Sequence, residues 1–158
     1  MATNDMLQYL EPAASGGLAS ASHRRQEQTF IAGGTIAAGA GVIFDVSKSD
    51  DADKVLHVVA APAAGTAIGV SLETAAVAAG DKVRVCVGGV VEALVEGVNS
   101  SGANAAIAAG APLGISDNAG VFGAFRPGTD AVPSGFCADA VASGAATALV
   151  TIIVSKKF

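Results

Sequence analysis

The chain writes nearly the same eight residues twice, TIAAGAGV from Thr35 and AIAAGAPL from Ala106. Neither copy contains a side chain that can do chemistry, so the duplication is structural. Ile36-Ala37-Ala38-Gly39 is answered by Ile107-Ala108-Ala109-Gly110. Each word is followed by a strand, a polar turn and a second strand, which in the second copy read PLGIS, DNAG (117–120) and VFGAF (121–125). Further on, GVSLETA (69–75) answers GFCADAV (135–141), and DKVRVCV (81–87) answers TALVTII (147–153). The halves run from about 35 to 97 and from 106 to 155. Two copies are too few for a solenoid, which needs about three or more units to bury its faces. The repeat therefore predicts two copies of an all-β unit completing one barrel or sandwich, with a pseudo-twofold relation. The IAAG words read as turns, whose Gly supplies a backbone conformation costly for other residues.

The strand signals agree. GVIFDV (41–46) alternates, SKSDDAD (47–53) is a polar turn, and KVLHVVA (54–60) is the return strand. In DKVRVCV, Val83, Val85 and Val87 share one face while Lys82, Arg84 and Cys86 share the other, the pattern of a half-buried strand. Gly88-Gly89 reads as a tight turn or sharp bend before VVEALVEG (90–97) resumes the alternation. TALVTIIVS (147–155) is rich in β-branched residues and forms the last strand. Helical signals are weak, and ETAAVAAGD (73–81) holds at most one turn before Gly80.

Residues 1–29 differ from the rest. They are small and polar, with no period of two and no helical stripe, and are read as an extended N-terminal arm ahead of a barrel domain, 30–158, with a disordered tail as the equal alternative for a single chain in water. Leu7, Tyr9 and Leu10 are its apolar anchors, and Arg24 and Arg25 its charges. An arm of this kind gains order by lying on a partner.

Composition narrows the function. Of the 158 residues 51% are hydrophobic, but Gly, Ser, Asp or Pro interrupts every apolar stretch, so no membrane-spanning helix is expected. The net charge is −5 and the Lys and Arg are scattered, which argues against nucleic acid as a partner. The first residues lack a basic region and an apolar run, so no secretory signal is expected, and Cys86 and Cys137 are read as buried, reduced thiols.

A search for chemistry returns no catalytic, cofactor-binding or metal site, and no cofactor is expected. His57 lies in a strand and reads as structural. Asp50, Asp51 and Asp53 crowd a turn, but an EF-hand loop would want Gly where Asp50 stands and Glu where Leu56 stands. A solvated acidic turn is the better reading. Gly39-Ala40-Gly41 leads into a strand and not out of one, so it is no dinucleotide loop. Ser134 and Ser143 lack the glycines of a nucleophile elbow. Glu92 and Glu96 read as same-face neighbours on an exposed strand edge.

The run carrying Gly65, Gly69-Val70, Gly80, Val83, Val85 and Gly88 resembles small bacteriophage capsid decoration, or cement, proteins with a β-barrel. The resemblance covers roughly 33–97, and the repeat extends it to 154. It implies a non-enzymatic structural virion protein, homotrimeric, made in the host cytoplasm and bound to the major capsid protein on the outer capsid surface. The arm, through Leu7, Tyr9, Leu10, Arg24 and Arg25, would then tie neighbours together. A fibre-base or adhesin-type surface subunit remains open beside this, as does a small-ligand-binding or enzymatic β-barrel.

Overall fold

The computed structural model describes residues 25–130 and 132–155. The order of elements is β1 (Gln26–Ala32), β2 (Gly41–Phe44), α1 (Asp51–Leu56), β3 (His57–Ala60), β4 (Gly69–Ser71), β5 (Lys82–Asn99), β6 (Pro112–Ile115), β7 (Phe122–Ala124), β8 (Gly135–Cys137) and β9 (Ala148–Val154). Leu7, Tyr9, Leu10 and Arg24 lie outside the described residues.

The fold is an all-β barrel fold, but the two copies do not complete one barrel between them. Each closes its own five-stranded ring, and the rings share β5. In the first ring β1 pairs parallel with β3 and antiparallel with the N-terminal half of β5. In the second, the C-terminal half of β5 pairs parallel with β7 and antiparallel with β9. The remaining antiparallel pairs correspond as well: β2–β3 with β6–β7, β2–β4 with β6–β8, and β4–β5 with β8–β9. Closure removes the free edges that an open sheet of short strands would leave.

Gly88-Gly89 is neither a turn nor an end of strand. Gly88 is the last residue of β5 opposite β1 (facing Gln26), and Gly89 the first opposite β9 (facing Val154). Gly89 takes φ +107, a value L side chains rarely adopt, and the strand changes rings there without breaking. The same face of β5 lines both interiors: Val83, Val85 and Val87 in the first core, Val91, Ala93 and Val95 in the second.

Two boundaries move. The first ring starts at Gln26, because Glu27 to Ile31 pair with Cys86 to Lys82, so residues 26–29 belong to the barrel and not to the arm. The rings occupy 26–88 and 89–154, where the repeated words suggested 35–97 and 106–155. The expected return strand at 54–60 begins only at His57, because α1 takes 51–56. Asp50 caps that helix by accepting the Ala52 N–H at 2.8 Å, and Asp51 pairs with Lys54 at 2.7 Å. The acidic cluster is a helix start.

The repeated word occurs four times, not twice. Ile36, Val77, Ile107 and Val141 each begin a stretch of apolar residue, Ala, small residue, Gly. The four glycines, Gly39, Gly80, Gly110 and Gly144, all have φ between +70 and +90. In each turn the residue after Gly donates to the carbonyl of the second residue, at 3.0–3.2 Å. Positive φ at the third position is what a type II turn demands. The stretch 73–81, read as weakly helical, is one of these turns.

Register corrects the alignment of the last strands. Leu72 N–H donates to Arg84 O as Ala138 N–H donates to Thr151 O, both at 2.9 Å. Arg84 therefore corresponds to Thr151, and 81–87 to 148–154, one residue later than the repeated words suggest. A slip of one residue exchanges the two faces of a strand.

Candidate interaction surface

The buried carboxylates serve the fold. Glu96 is buried, 6% exposed, and not on an exposed edge as its alternation with Glu92 suggested; Glu92 is exposed. Its carboxylate accepts from the Ser116 hydroxyl, from Asn118 Nδ2 at 3.0 and 3.2 Å, and from Thr147 Oγ1 at 3.0 Å. Burial pushes its pKa up, but the hydrogen bonds from Ser116, Asn118 and Thr147 outweigh it and hold the carboxyl below the ordinary glutamate value. A carboxylate satisfied this fully ties β5 to the β6–β7 turn and to the approach to β9. Both of its oxygens are engaged, Oε1 by Ser116 and Asn118 and Oε2 by Asn118 and Thr147.

Asp130 likewise accepts from Ser100 Oγ at 2.6 Å and from the Arg126 N–H at 2.7 Å. In Asp45 the Ser47 hydroxyl at 2.5 Å, followed by the Ser47 N–H and the Lys48 and His57 charges, holds the carboxyl below its usual range against its desolvation. His57 Nδ1 donates to the Asp53 carbonyl at 2.8 Å and closes the end of α1. Cys86 and Cys137 are free and buried, and burial pushes both thiols up, away from the reactive thiolate. Ser134 Oγ accepts from the Ala67 N–H at 2.9 Å across the rings.

Where the rings meet, a groove of about 370 Å³ opens between the turn at Ala38-Gly39 and the end of β4 on one side, and the outer face of β5 and β9 on the other. Leu72, Val90, Leu149 and Thr151 line it, with Glu73 and Glu92 at its rim. Glu73 is committed to Arg84, accepting from its backbone N–H at 3.0 Å and its Nε at 3.1 Å. These bonds, the backbone one first, hold the Glu73 carboxyl below its ordinary value despite some desolvation. Ser71 Oγ is buried here without a hydrogen-bond partner. Of the arm residues singled out by sequence, only Arg25 falls within the described residues. It pairs with Glu27 at 2.6 Å and lines the groove.

Beyond the groove the second ring exposes large apolar side chains on β8 and β9. Phe136 and Ile153 stand directly opposite one another on β8 and β9, 41% and 45% exposed, with Leu149 on the same face of β9. At the far end of the first ring Val46, Val55 and Leu56 are exposed around α1. Sequence reasoning did not single out these six residues. The alternation in TALVTIIVS signalled a strand but not which of its faces would be left to water.

No protein-family model matches the chain, and no curated protein matches it. A solved structure similar in fold is the N base of head fibre gp8.5 of bacteriophage phi29. It is 18% identical, with a TM-score of 0.54, and the match covers 84% of this chain and 95% of that one.

Proposed function

We propose that this chain is a structural, non-enzymatic protein of a phage virion, carried on the outside of the head. The observation behind this reading is the likeness to a head fibre N base over 95% of that structure, a whole-domain match and not one of a shared motif. The chemistry of the chain is compatible with it. Each buried carboxylate among the described residues is engaged in holding strands and turns together. The two thiols are buried. A building block needs closed rings, short turns and surfaces for other subunits, and this chain invests in those.

Within that reading we place the protein on the capsid surface as a homotrimer bound to the major capsid protein, with residues 1–24 as tether and Leu7, Tyr9, Leu10, Arg24 and Arg25 among the contacts. Strand-like pairing or several simultaneous contacts would supply the affinity that a short apolar segment lacks. A fibre base is the second reading, favoured by what the similar structure is. Both predict co-sedimentation of the purified chain with phage heads that lack it. Heads that leave the chain in the supernatant would overturn both. Electron microscopy of decorated heads separates them, since a cement protein covers lattice positions without a projecting fibre and a fibre base carries one.

A further inference from the structure

Inside one molecule the second ring hangs on the first by a defined contact. The β6–β7 turn of the second ring reaches over, so that Gly41 N–H donates to Gly120 O at 2.7 Å and Gly120 N–H donates to Ala61 O at 2.8 Å. Behind the turn, Phe122 and Ile115 sit over Gly41, where a Cβ would stand 3.0 and 3.1 Å from them. Next to Gly41 the outer wall of the first ring presents Val70 and Cys86, which face each other across β4 and β5. Both are 0% exposed and belong to the same apolar cluster as Phe122 and Ile115. One ring thus offers a wall, and the other offers the end that carries its hairpin turn.

Each ring has both surfaces, because the rings are copies. On the second ring the wall residues corresponding to Val70 and Cys86 are Phe136 and Ile153, matched by register. Among the described residues these two remain exposed, where Val70 and Cys86 are fully covered. On the first ring the connection corresponding to the β6–β7 turn is the β2–β3 connection, since Phe44 opposite Val58 matches Ile115 opposite Phe122. That connection is longer, contains α1, and exposes Val46, Val55 and Leu56. Six of the seven large hydrophobic side chains exposed among the described residues fall on these two surfaces, three on each when Leu149 is counted with the wall.

The rest of the wall follows the same logic. Where the first ring's wall runs out to water, its outward residues on β5 are Lys82 and Arg84, both exposed. The residues in the same places on the second ring are Leu149 and Thr151. At these places the wall of the first ring carries two charges and the wall of the second ring carries none.

We infer that a second copy of this chain docks the exposed β2–β3 connection of its first ring, through Val46, Val55 and Leu56, onto the Phe136 and Ile153 wall of the first copy. The contact between molecules then repeats, head to tail, the contact between rings. The inference rests on the reading of the protein as a self-assembling virion part, and names the faces that assemble. Pro112 stands where Gly41 does and has no N–H, so the intermolecular copy is held by apolar burial and not by the Gly41–Gly120 hydrogen bond. A head-to-tail contact closes into a ring when its rotation allows and otherwise grows into a fibre.

Two variants of the full chain test this by sedimentation velocity. Phe136→Glu with Ile153→Lys strips the wall but leaves an opposite-charge pair across β8 and β9, which keeps the strands together. Val55→Gln with Leu56→Gln strips the connection while preserving helix propensity. The wild type should assemble, and each double variant should raise the dissociation constant by more than about thirty-fold. An equimolar mixture of the two should give a one-to-one dimer and nothing larger, because one intact wall and one intact connection remain between them. Assembly of either variant like the wild type, or a mixture that stays monomeric, overturns the contact. If the wall variant fails to fold, judged by its far-UV spectrum, Phe136→Lys alone replaces it. A wild type that assembles alongside variants that also assemble sinks the named faces but leaves the oligomer reading intact. A wild type that stays monomeric sinks both. Co-sedimentation with heads, run on the same samples, reports separately on the virion reading.

Discussion

Ile36 and Val77 exchange both of their backbone hydrogen bonds, at 3.0 and 2.8 Å, and so lock two of the four glycine turns of the chain back to back. Ile107 and Val141 do the same in the second ring, at 2.9 and 2.8 Å. Each ring is pinned at these paired turns, and the glycines around them separate two kinds of constraint.

Gly97 has no space for a side chain: a Cβ there would run into the Ala142 carbonyl oxygen and lie 2.5 Å from the Ala145 nitrogen, both backbone atoms. Gly110 has open space but φ +78. Gly97→Ala should cost about 3 kcal/mol or more, because packed backbone cannot yield. Gly110→Ala should cost only about 1–2 kcal/mol, the penalty of a left-handed conformation. Urea titrations of the two variants compare them directly, and equal losses would contradict the assignment.

Removing the Glu96 side chain should destabilise the fold. In Glu96→Ala the buried Ser116 hydroxyl loses its acceptor, while the exposed Asn118 amide and Thr147 hydroxyl can turn to water. A loss of about 1–3 kcal/mol is expected. The charge also sets a pH dependence. Because the folded-state pKa lies below the ordinary value of about 4.3, the stabilisation is fully present above that value and is lost as pH falls through the lower folded-state one. Denaturant midpoints should therefore drop on the acid side, and Glu96→Gln should flatten that limb. An unchanged acid limb in the variant would show that Glu96 does not contribute to it.

The two rings should unfold together. One apolar cluster contains Val70 and Cys86 from the first ring and Leu113, Phe122 and Ile152 from the second. Phe122→Ala should cost about 3–5 kcal/mol and lower a single calorimetric transition. Two separated endotherms would show that the shared strand and shared core do not couple the rings.

Truncation should locate the edge of the fold. Deleting 1–24 leaves every described strand intact and should leave the thermal midpoint nearly unchanged while weakening attachment to heads. Deleting 1–29 also removes the pairing of Glu27, Gln28 and Thr29 with Cys86, Val85 and Arg84, which closes the first ring. That protein should lose several degrees of midpoint or fail to fold. Two truncations of equal stability would mean that β1 does not hold the ring closed.

The thiols should report burial. A chromogenic thiol reagent at mildly alkaline pH should leave native Cys86 and Cys137 unmodified and titrate both once denaturant is added, since burial disfavours each thiolate. Rapid labelling of the native protein would contradict the packing of β4, β5 and β8 around them.

Much of the strand content was legible because local chemistry writes it. DKVRVCV announces a strand through valines alternating with Lys82 and Arg84, and the IAAG words announce turns through Gly39 and Gly110. The start of α1 is also written locally, since Asp50 followed by Asp51, Asp53 and Lys54 is a cap, an acidic first turn and a basic last one, although the same cluster reads equally as a solvated acidic turn. Glu96 was not legible. Its three partners lie 20, 22 and 51 residues away, so the alternation that correctly exposes Glu92 gives the wrong environment four residues later.

By itself the sequence determined the repeat, the all-β class and the position of most strands, because alternation and glycine turns act over a few residues. Only the tertiary structure decided that each copy closes its own ring and that β5 runs through Gly88-Gly89 to serve both. It also decided that the last strand pairs one residue away from the alignment of the repeated words. Ring closure depends on pairings between segments more than 50 residues apart, such as Gln26 with Gly88 and Gly89 with Val154, and register on which residues of two facing strands meet. No local pattern carries that information, and a one-residue shift in such a pairing decides which side chains face the core and which are left to meet another molecule.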